Sequence, residues 1–130
     1  TIQAGFSVAE IVISPEPLLY SGVIKPDVAA LVAPEGRDKI ARLTKAMDKT
    51  GLIYFSEGLG NVDSKAKQLP LLFPKSAQKE IRKNISALTA GYLTQELGLF
   101  PFEALQEAVR LIQKPKIAEI NLGVLAHFKS

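Results

Sequence analysis

The sequence contains no cysteine and a single histidine, His127, among its 130 residues. Without cysteine, the chain forms no disulfide, holds no iron–sulfur cluster through thiolates and has no cysteine nucleophile. Catalytic zinc is usually bound by two or three histidines, so one histidine argues against a histidine-based metal site. We therefore expect this chain to bind no metal ion.

Long apolar runs and a concentrated charge of one sign are also missing. No apolar run approaches the roughly 20 residues that span a bilayer, and no secretory signal is visible. We therefore expect a cytoplasmic chain without a membrane span. The net charge is +3, and the 16 Lys and Arg residues are scattered among 13 Asp and Glu residues. Because nucleic-acid binding usually shows a basic face, we expect no nucleic-acid partner.

Motifs of several enzyme classes are absent as well. The sequence has no Walker-type loop, no G-x-G-x-x-G and no G-x-S-x-G nucleophile elbow. Since His127 lies almost at the end of the sequence, we do not expect it to form the Ser–His pair of a hydrolase, and we interpret it as a surface or partly buried helix residue. Glu10 and Glu57 are interpreted as solvated carboxylates rather than as an acid–base pair. We predict no catalytic residue in this chain.

What is present is an ordinary globular composition, with 47% apolar and 22% charged residues. At this length we expect one domain, residues 1–130. Apolar and β-branched runs predict four strands, at residues 9–14, 27–33, 52–55 and 69–74. The 27–33 run suits a strand covered on both faces, and the prolines flanking the last run suit an edge strand.

Between the second and third predicted strands, Ile40, Leu43 and Met47 lie at i, i+3 and i+7, which predicts a helix over residues 35–49. Strand, helix and strand at this spacing form a βαβ unit with a parallel pairing. The predicted fold class is therefore α/β, with a three-layer, mostly parallel sheet of the Rossmann-like type and C-terminal helices packed on it.

Helical periodicity dominates the last third of the chain. Ser76 is predicted to cap a helix from about residue 77, with Glu80 in its first turn. This helix either continues into the Asn84 segment or is offset from it by a kink, and Asn84 either caps a helix or reaches a neighbouring loop. Gly98 is predicted to end the helical stretch.

Each predicted C-terminal helix has an apolar face, and small residues accompany the first. In the first helix the face is Ile85, Leu88, Tyr92 and Leu93, and Ala87, Ala90 and Gly91 allow the close approach of another backbone. A helix beginning near residues 100–103 and ending near residues 114–115 carries Leu105, Val109 and Ile112. The last helix, over about residues 116–128, carries Ile117, Ile120, Val124 and Phe128.

Four motifs occur in order along the chain. They are Ala4-Gly5-Phe6-Ser7-Val8-Ala9-Glu10-Ile11-Val12-Ile13-Ser14, Lys25-Pro26-Asp27, Lys83-Asn84-Ile85-Ser86-Ala87-Leu88 and Glu119-Ile120-Asn121. Together they resemble the γ subunit or γ domain of the 2-oxoacid:ferredoxin oxidoreductases over essentially the whole chain. The family usually has an arginine and two glycines where this chain has Gln3, Ala4 and Gly5, and commonly a glycine at Thr89. The family's N-terminal Gly-rich loop, first strand and first helix are not present, so the resemblance implies a C-terminal portion of the domain or a divergent member.

The resemblance implies a subunit that is not catalytic by itself. The complete enzyme would oxidatively decarboxylate a 2-oxoacid (pyruvate, 2-oxoglutarate, a branched-chain 2-oxoacid or indolepyruvate), transfer the acyl group to coenzyme A and pass electrons to ferredoxin. Thiamine diphosphate and the iron–sulfur clusters would lie on partner subunits, with no cofactor assigned to this chain and coenzyme A as co-substrate. The implied partners are the other subunits and, through the complex, ferredoxin; a homodimer is also consistent with the sequence.

Two segments are the candidate contacts with the cofactor and coenzyme A region. The resemblance points first to Gln3, Ala4, Gly5 and Ser7. The second segment is the loop with Glu57, Gly58, Gly60 and Asn61, at the carboxyl end of a predicted strand where ligands of parallel sheets bind. From the residues alone, this loop is either an anion-binding turn, through its backbone N–H groups, or a plain strand-to-loop turn.

The sequence leaves two other interpretations open. One is a stand-alone Rossmann-like module that binds a nucleotide or a small anion, and the other is a structural fragment without activity of its own. The subunit interpretation differs from both because it predicts an exposed apolar patch that partner subunits cover.

Overall fold

The computed structural model describes residues 26–33, 40–56, 58–59 and 62–128. The chain divides after Pro70 into two compact units. The first contains a parallel sheet and the second is helical, so the predicted α/β class is confirmed. The assignment of one domain to residues 1–130 stays a prediction. No helix within the described ranges is long and apolar enough to cross a membrane.

The sheet of the first unit has three described strands, β1 (Val28–Leu31), β2 (Leu52–Phe55) and β3 (Lys67–Pro70). They lie in the order β1-β2-β3 with both pairings parallel, and Phe55 pairs with Leu31 and with Pro70. The prediction for β2 is confirmed residue for residue, and β1 lies inside its predicted range.

Two strand predictions have other outcomes. β3 lies at an edge of the described sheet, as predicted, but it ends at Pro70 and begins two residues before the predicted range. Its first residues, Lys67 and Gln68, are polar, and the sequence argument followed the apolar run that comes after them. The strand predicted at residues 9–14 lies outside the described residues.

The described helix between β1 and β2 is α1, Ala41–Lys45. The predicted end at residue 49 is wrong, because the turn tightens: the Ala46 N–H donates to Leu43 and the Met47 N–H to Thr44, three residues back in each case. Residues 34–39, in which the predicted helix started, lie outside the described residues.

The core of the first unit lies between the sheet and this helical turn. Its buried members are Ala29, Leu31, Met47, Ile53 and Ala66, with Ile40, Phe55, Leu59 and Val62 packed against them. In β1 the alternate residues are only half-buried. One face of β1 is therefore buried and the other is partly covered, and a sheet covered by helices on both faces stays a prediction.

The second unit contains a 3₁₀ helix, Lys75–Glu80, and three α-helices, α2 (Ile81–Leu97), α3 (Phe102–Ile112) and α4 (Pro115–Leu125). Gly98 ends α2, as predicted: its φ is +61° and its N–H donates to the Thr94 carbonyl at 3.1 Å. Pro115 occupies the first turn of α4, where its missing N–H would have no helical partner.

The start of the helical unit differs from the prediction at two residues. Ser76 makes no capping hydrogen bond, so the predicted cap, with Glu80 in its first turn, is wrong. Asn84 has non-helical angles, φ −125° and ψ 34°. Of the two alternatives left open by the sequence, the kinked helix is therefore the one observed.

The core of the second unit comprises two groups of buried residues. One is Ala77, Leu88, Val124 and Phe128, and the other is Val109, Ala118 and Leu125. Three residues on the predicted apolar faces are exposed to solvent. Ile112, Ile117 and Ile120 are 81%, 50% and 54% exposed.

Gly91 of α2 lies against the ring of Phe128, beyond the end of α4. A Cβ built at Gly91 would lie 2.6 Å from Phe128 Cε2 and 3.0 Å from Leu125 Cδ2. The close approach predicted for the small residues of α2 therefore exists at Gly91, but an aromatic side chain makes it rather than another backbone.

Candidate functional site

The carboxyl ends of β1 and β2 lie side by side, because the two strands are parallel neighbours. The Ser56 N–H donates to the Leu31 carbonyl at 2.8 Å and continues this pairing by one residue. The chain then turns, with the Leu59 N–H 3.3 Å from the Ser56 carbonyl. This is the edge of a parallel sheet at which ligands usually bind.

Gly58 is the one predicted site residue that the structure places. It is exposed, its φ is +92°, and a Cβ built there meets nothing within 4 Å. The backbone angle, rather than space, therefore favours glycine at this position. The other predicted contacts, Gln3, Ala4, Gly5, Ser7, Glu57, Gly60 and Asn61, lie outside the described residues.

The chain that returns from this turn is fixed to β3 by the side chain of Gln68. Its Oε1 accepts from the Val62 N–H and its Nε2 donates to the Val62 carbonyl, both at 2.9 Å. One amide side chain thus satisfies both backbone groups of Val62, as a paired strand would. Val62 also packs against the core of the first unit.

A polar cluster in the second unit, here called the His127 cluster, joins Ser76, Glu80, Asn84 and His127. The His127 Nδ1 lies 2.8 Å from Ser76 Oγ, and its Nε2 lies 3.1 Å from Glu80 Oε2. Asn84 Nδ2 donates to the other oxygen of Glu80 at 3.0 Å. Neutral His127 satisfies both partners when Nδ1 accepts from the serine hydroxyl and Nε2–H donates to the carboxylate.

The order serine, histidine, carboxylate resembles a nucleophilic triad, but the backbone N–H that follows the serine is not free to stabilise an oxyanion. In nucleophile-elbow enzymes the N–H after the serine stabilises the oxyanion. Here the Ala77 N–H donates to the Pro74 carbonyl at 2.9 Å, and Ala77 is fully buried. We therefore interpret the His127 cluster as a structural link that ties the end of α4 to the 3₁₀ helix and to the kink at Asn84.

An open pocket of about 360 Å³ lies in the second unit. Its lining residues are Thr94, Gln95, Gly98, Phe100, Phe102, Glu103 and Phe128. Two of its polar side chains already bond backbone carbonyls: Thr94 Oγ1 donates to Ala90 at 2.7 Å and Gln95 Nε2 to Phe128 at 3.0 Å. The rest of the lining consists of Gly98, three phenylalanines and the Glu103 side chain.

Tyr92 of α2 packs against the core of the second unit. Its ring is perpendicular to that of Phe73, at a centroid distance of 6.1 Å. Burial raises the pKa of Tyr92, the neighbouring Glu96 carboxylate raises it further, and a hydrogen bond with the Leu72 backbone lowers it. In the part of the chain that the structure describes, no three His, Cys, Asp or Glu residues are grouped so that they could hold a metal ion.

Among the described helices, the most exposed apolar side chains lie around the turn between α3 and α4. We call Ile112, Ile117 and Ile120 the α3–α4 patch. Ile112 ends α3, and the short turn after it is held by Asn121 Nδ2, which donates to Gln113 Oε1 at 2.7 Å. Leu111, next to the patch in sequence, is also 76% exposed.

Helical spacing explains why part of this surface is uncovered. Ile117, Ile120 and Val124 are at i, i+3 and i+7, so they lie on one side of α4. Val124 is only 1% exposed and packs in the same cluster as Leu88 of α2. The apolar side of α4 is therefore covered in its C-terminal half and uncovered in its N-terminal half.

Sequence reasoning missed the His127 cluster and the pocket. Ser76 and His127 are 51 residues apart, and no local motif signals a contact over that separation. Helical periodicity identified the apolar face of α4, but it does not show which part of that face other helices cover.

No protein-family model, no curated protein and no solved structure shows significant similarity to this chain.

Proposed function

We propose that this chain is the γ-type component of a 2-oxoacid:ferredoxin oxidoreductase, as the C-terminal portion of its γ domain. In that role it supports the coenzyme A-dependent oxidative decarboxylation of a 2-oxoacid, with electrons passing to ferredoxin, and performs no catalytic step itself. The proposal includes the finer fold, a three-layer Rossmann-like domain with the C-terminal helices packed on the sheet, and a cytoplasmic location.

One observation carries the proposal: the α3–α4 patch. Its three isoleucines are all at least half exposed, and two of them, Ile117 and Ile120, lie on the side of α4 that is buried further along at Val124. Large exposed apolar patches mark protein–protein contacts. A subunit that shapes a larger complex has a use for such a surface, and partner subunits would cover it.

The composition is consistent with the division of labour in this family. The chain has no cysteine, so the iron–sulfur clusters that such a complex needs must be held by other chains. Thiamine diphosphate belongs to a partner subunit on the same proposal. The predicted contacts at residues 3–7 and 57–61 would then help to enclose the cofactor and coenzyme A region without holding a reactive group.

The test is reconstitution. The chain is co-expressed with the products of the genes that flank its own, and the complex is purified through a tag on this chain. We expect a stable hetero-oligomer that reduces ferredoxin with a 2-oxoacid and coenzyme A, whereas the chain purified alone should turn over no 2-oxoacid. Turnover by the isolated chain, or failure to recover a thiamine-binding subunit, would contradict the proposal.

A second function has one observation in its favour, the turn at Gly58. A glycine with φ +92° at the carboxyl end of a parallel strand is suited to presenting backbone N–H groups to an anion. A stand-alone nucleotide- or anion-binding module would be stabilised by its ligand, because only the folded state binds it. A thermal shift with coenzyme A, NAD or ATP would support this function, and no shift with any of the three would eliminate it.

A further inference from the structure

We propose that residues 75–83, here called the basic segment, bind an acidic surface of a partner subunit. This inference rests on the proposed function and adds the chemistry of one contact by which the chain joins its complex. The basic segment consists of the 3₁₀ helix and the first residues of α2, before the kink at Asn84.

Positive charge is concentrated in the basic segment. It contains four of the 16 basic residues and one of the 13 acidic residues, which leaves 12 of each sign in the rest of the chain. The four cations are Lys75, Lys79, Arg82 and Lys83, and the acid is Glu80. The whole excess of positive charge therefore lies within about 15 Å of helix length.

The four cations are available to a partner. All of them are exposed, and none forms an ion pair with another described residue. The carboxylate of Glu80 is engaged by His127 Nε2 at 3.1 Å and by Asn84 Nδ2 at 3.0 Å. The acid of the basic segment is therefore hydrogen-bonded within the His127 cluster, rather than paired with a neighbouring cation.

This arrangement of charge is unfavourable within the chain itself. Lys79 is three residues from Arg82 and four from Lys83, spacings at which side chains are neighbours on a helix and like charges repel. No acidic residue occupies the first turn of the 3₁₀ helix or of α2, where the helix dipole favours carboxylates over cations. A negatively charged partner relieves both kinds of repulsion.

The surroundings of the cations favour a protein as that partner. Proteins that bind single-stranded nucleic acids stack bases on aromatic side chains, and the basic segment has no aromatic residue. An interfacial membrane helix needs an exposed apolar face. Here Ala77 is fully buried and Ile81 packs against the core, and a single leucine before the segment, Leu72, is 68% exposed. An acidic protein surface needs neither feature, because opposite charges steer association and select the partner.

The experiment measures the affinity of this chain for the purified products of the genes that flank its own. Wild type is compared with Lys79→Gln/Lys83→Gln, with Lys79→Glu/Lys83→Glu and with the conservative Lys79→Arg/Lys83→Arg. The matched control for the glutamate pair is Lys49→Glu/Lys65→Glu, which reverses two exposed lysines of the first unit with the same change in net charge. Kd is measured at low and at high salt, and urea unfolding checks the folding of each variant.

We expect Kd at low salt to rise at least about threefold for the glutamine pair and at least about tenfold for the glutamate pair, chiefly through slower association. The difference from wild type should shrink at high salt, because ions screen exposed charges. The arginine pair keeps both charges and should bind within about twofold of wild type, and the control should stay within about threefold.

Urea unfolding separates a docking role from a structural one. Because the glutamine pair removes like-charge repulsion, it should unfold at the same urea concentration as wild type or at a higher one. Weaker binding by a variant of unchanged stability shows that the two lysines act on the partner. A glutamine pair whose loss of affinity is accompanied by an equal loss in the arginine pair would contradict the inference.

The outcomes also distinguish this inference from the proposed function. If wild type binds a thiamine-binding subunit and the glutamate pair loses no more affinity than the control, the docking surface is wrong while the proposed function stands. If wild type binds no thiamine-binding subunit, both are wrong.

Two parallel assays test the other occupants, one with single-stranded and duplex DNA oligonucleotides and one with vesicles of phosphatidylcholine and phosphatidylserine. If the glutamate pair abolishes binding to either probe and leaves Kd for the subunit unchanged, the occupant is a nucleic acid or a membrane and the inference is overturned.

Discussion

Gly91 and Phe128 pack so closely that a methyl group at position 91 has no room: its carbon would lie 2.6 Å and 2.7 Å from two atoms of the phenylalanine ring. The ring is itself held, because Phe128 is buried and lies 6.2 Å from the ring of Phe102. Glycine at position 91 therefore sets the distance between α2 and the residues that follow α4.

Replacing Gly91 with alanine should lower the free energy of unfolding by about 1–2 kcal/mol. Overpacking a core costs about 1–3 kcal/mol, and the better helix propensity of alanine returns up to about 1 kcal/mol. Urea unfolding measures the difference. Gly123→Ala is the matched control, because Gly123 is also in a helix but a Cβ there meets nothing within 4 Å; this variant should be as stable as wild type or more so. Equal effects at both positions would show that packing at Gly91 is not the cause.

The contact between Glu80 and His127 should be measurable as a coupling energy. Glu80→Gln has a single oxygen where Glu80 uses two, one for Asn84 and one for His127, so one of these two donors loses its acceptor and we expect a loss of about 1 kcal/mol. In a double-mutant cycle with His127→Ala, the coupling should be about 0.5–1 kcal/mol. The control, Glu107→Gln, removes an exposed ion pair with Arg110 and should change stability by less than about 0.5 kcal/mol. A coupling of zero would mean that the link does not contribute to stability.

Tyr92 should make the protein less stable at alkaline pH. Since burial raises the pKa of Tyr92 in the folded state, the unfolded chain loses this proton first as the pH increases. Stability is therefore fully present below the unfolded pKa of about 10 and falls as the pH rises through the higher folded value. Tyr92→Phe should flatten this decline in urea unfolding measured on both sides of about pH 10. Identical slopes in the two proteins would contradict the prediction.

Gln68 should stabilise the first unit more than its surface position suggests. Gln68→Ala removes both hydrogen bonds to Val62 and should cost about 1–2 kcal/mol. Gln68→Glu keeps the acceptor but loses the donor to the Val62 carbonyl, so its effect should be at least half as large. Gln78→Ala serves as the control, because Gln78 is exposed and its hydrogen bond to Pro74 is long, at 3.5 Å; it should cost less than about 0.5 kcal/mol. If Gln68→Ala costs no more than the control, the pairing with Val62 is not stabilising.

The parts of the fold that local chemistry determines were predictable from the sequence. The apolar run 52–55 could hardly be other than a buried strand, and Gly98 adopts the left-handed angle that ends helices. β3 was misplaced because its register depends on the pairing of Lys67 with Leu52, which is a tertiary contact. The side chain of Gln68 supports that register, and nothing in a strand pattern reveals it.

For the candidate site, the sequence indicated individual residues but not the contacts between residues that are distant in the chain. Gly58 was singled out as part of a turn, and its positive φ agrees with a turn that needs glycine. The contact between Ser76 and His127 was not predicted, because a separation of 51 residues hides a contact that only folding makes. The uncovered isoleucines of α4 were recognised as apolar, but their exposure depends on which parts of α4 the other helices cover.

The kink at Asn84 divides α2 into two segments, and we expect their backbone amides to be unequally protected from hydrogen exchange. Backbone amides after Asn84, around the buried Leu88, belong to the segment packed against α4, whereas the turn before it adjoins the 3₁₀ helix. Native-state hydrogen exchange reports such local openings separately. We therefore expect the amides of residues 81–83 to exchange faster than those of residues 88–94, and thus the helix to open from its N-terminal end without unfolding the core.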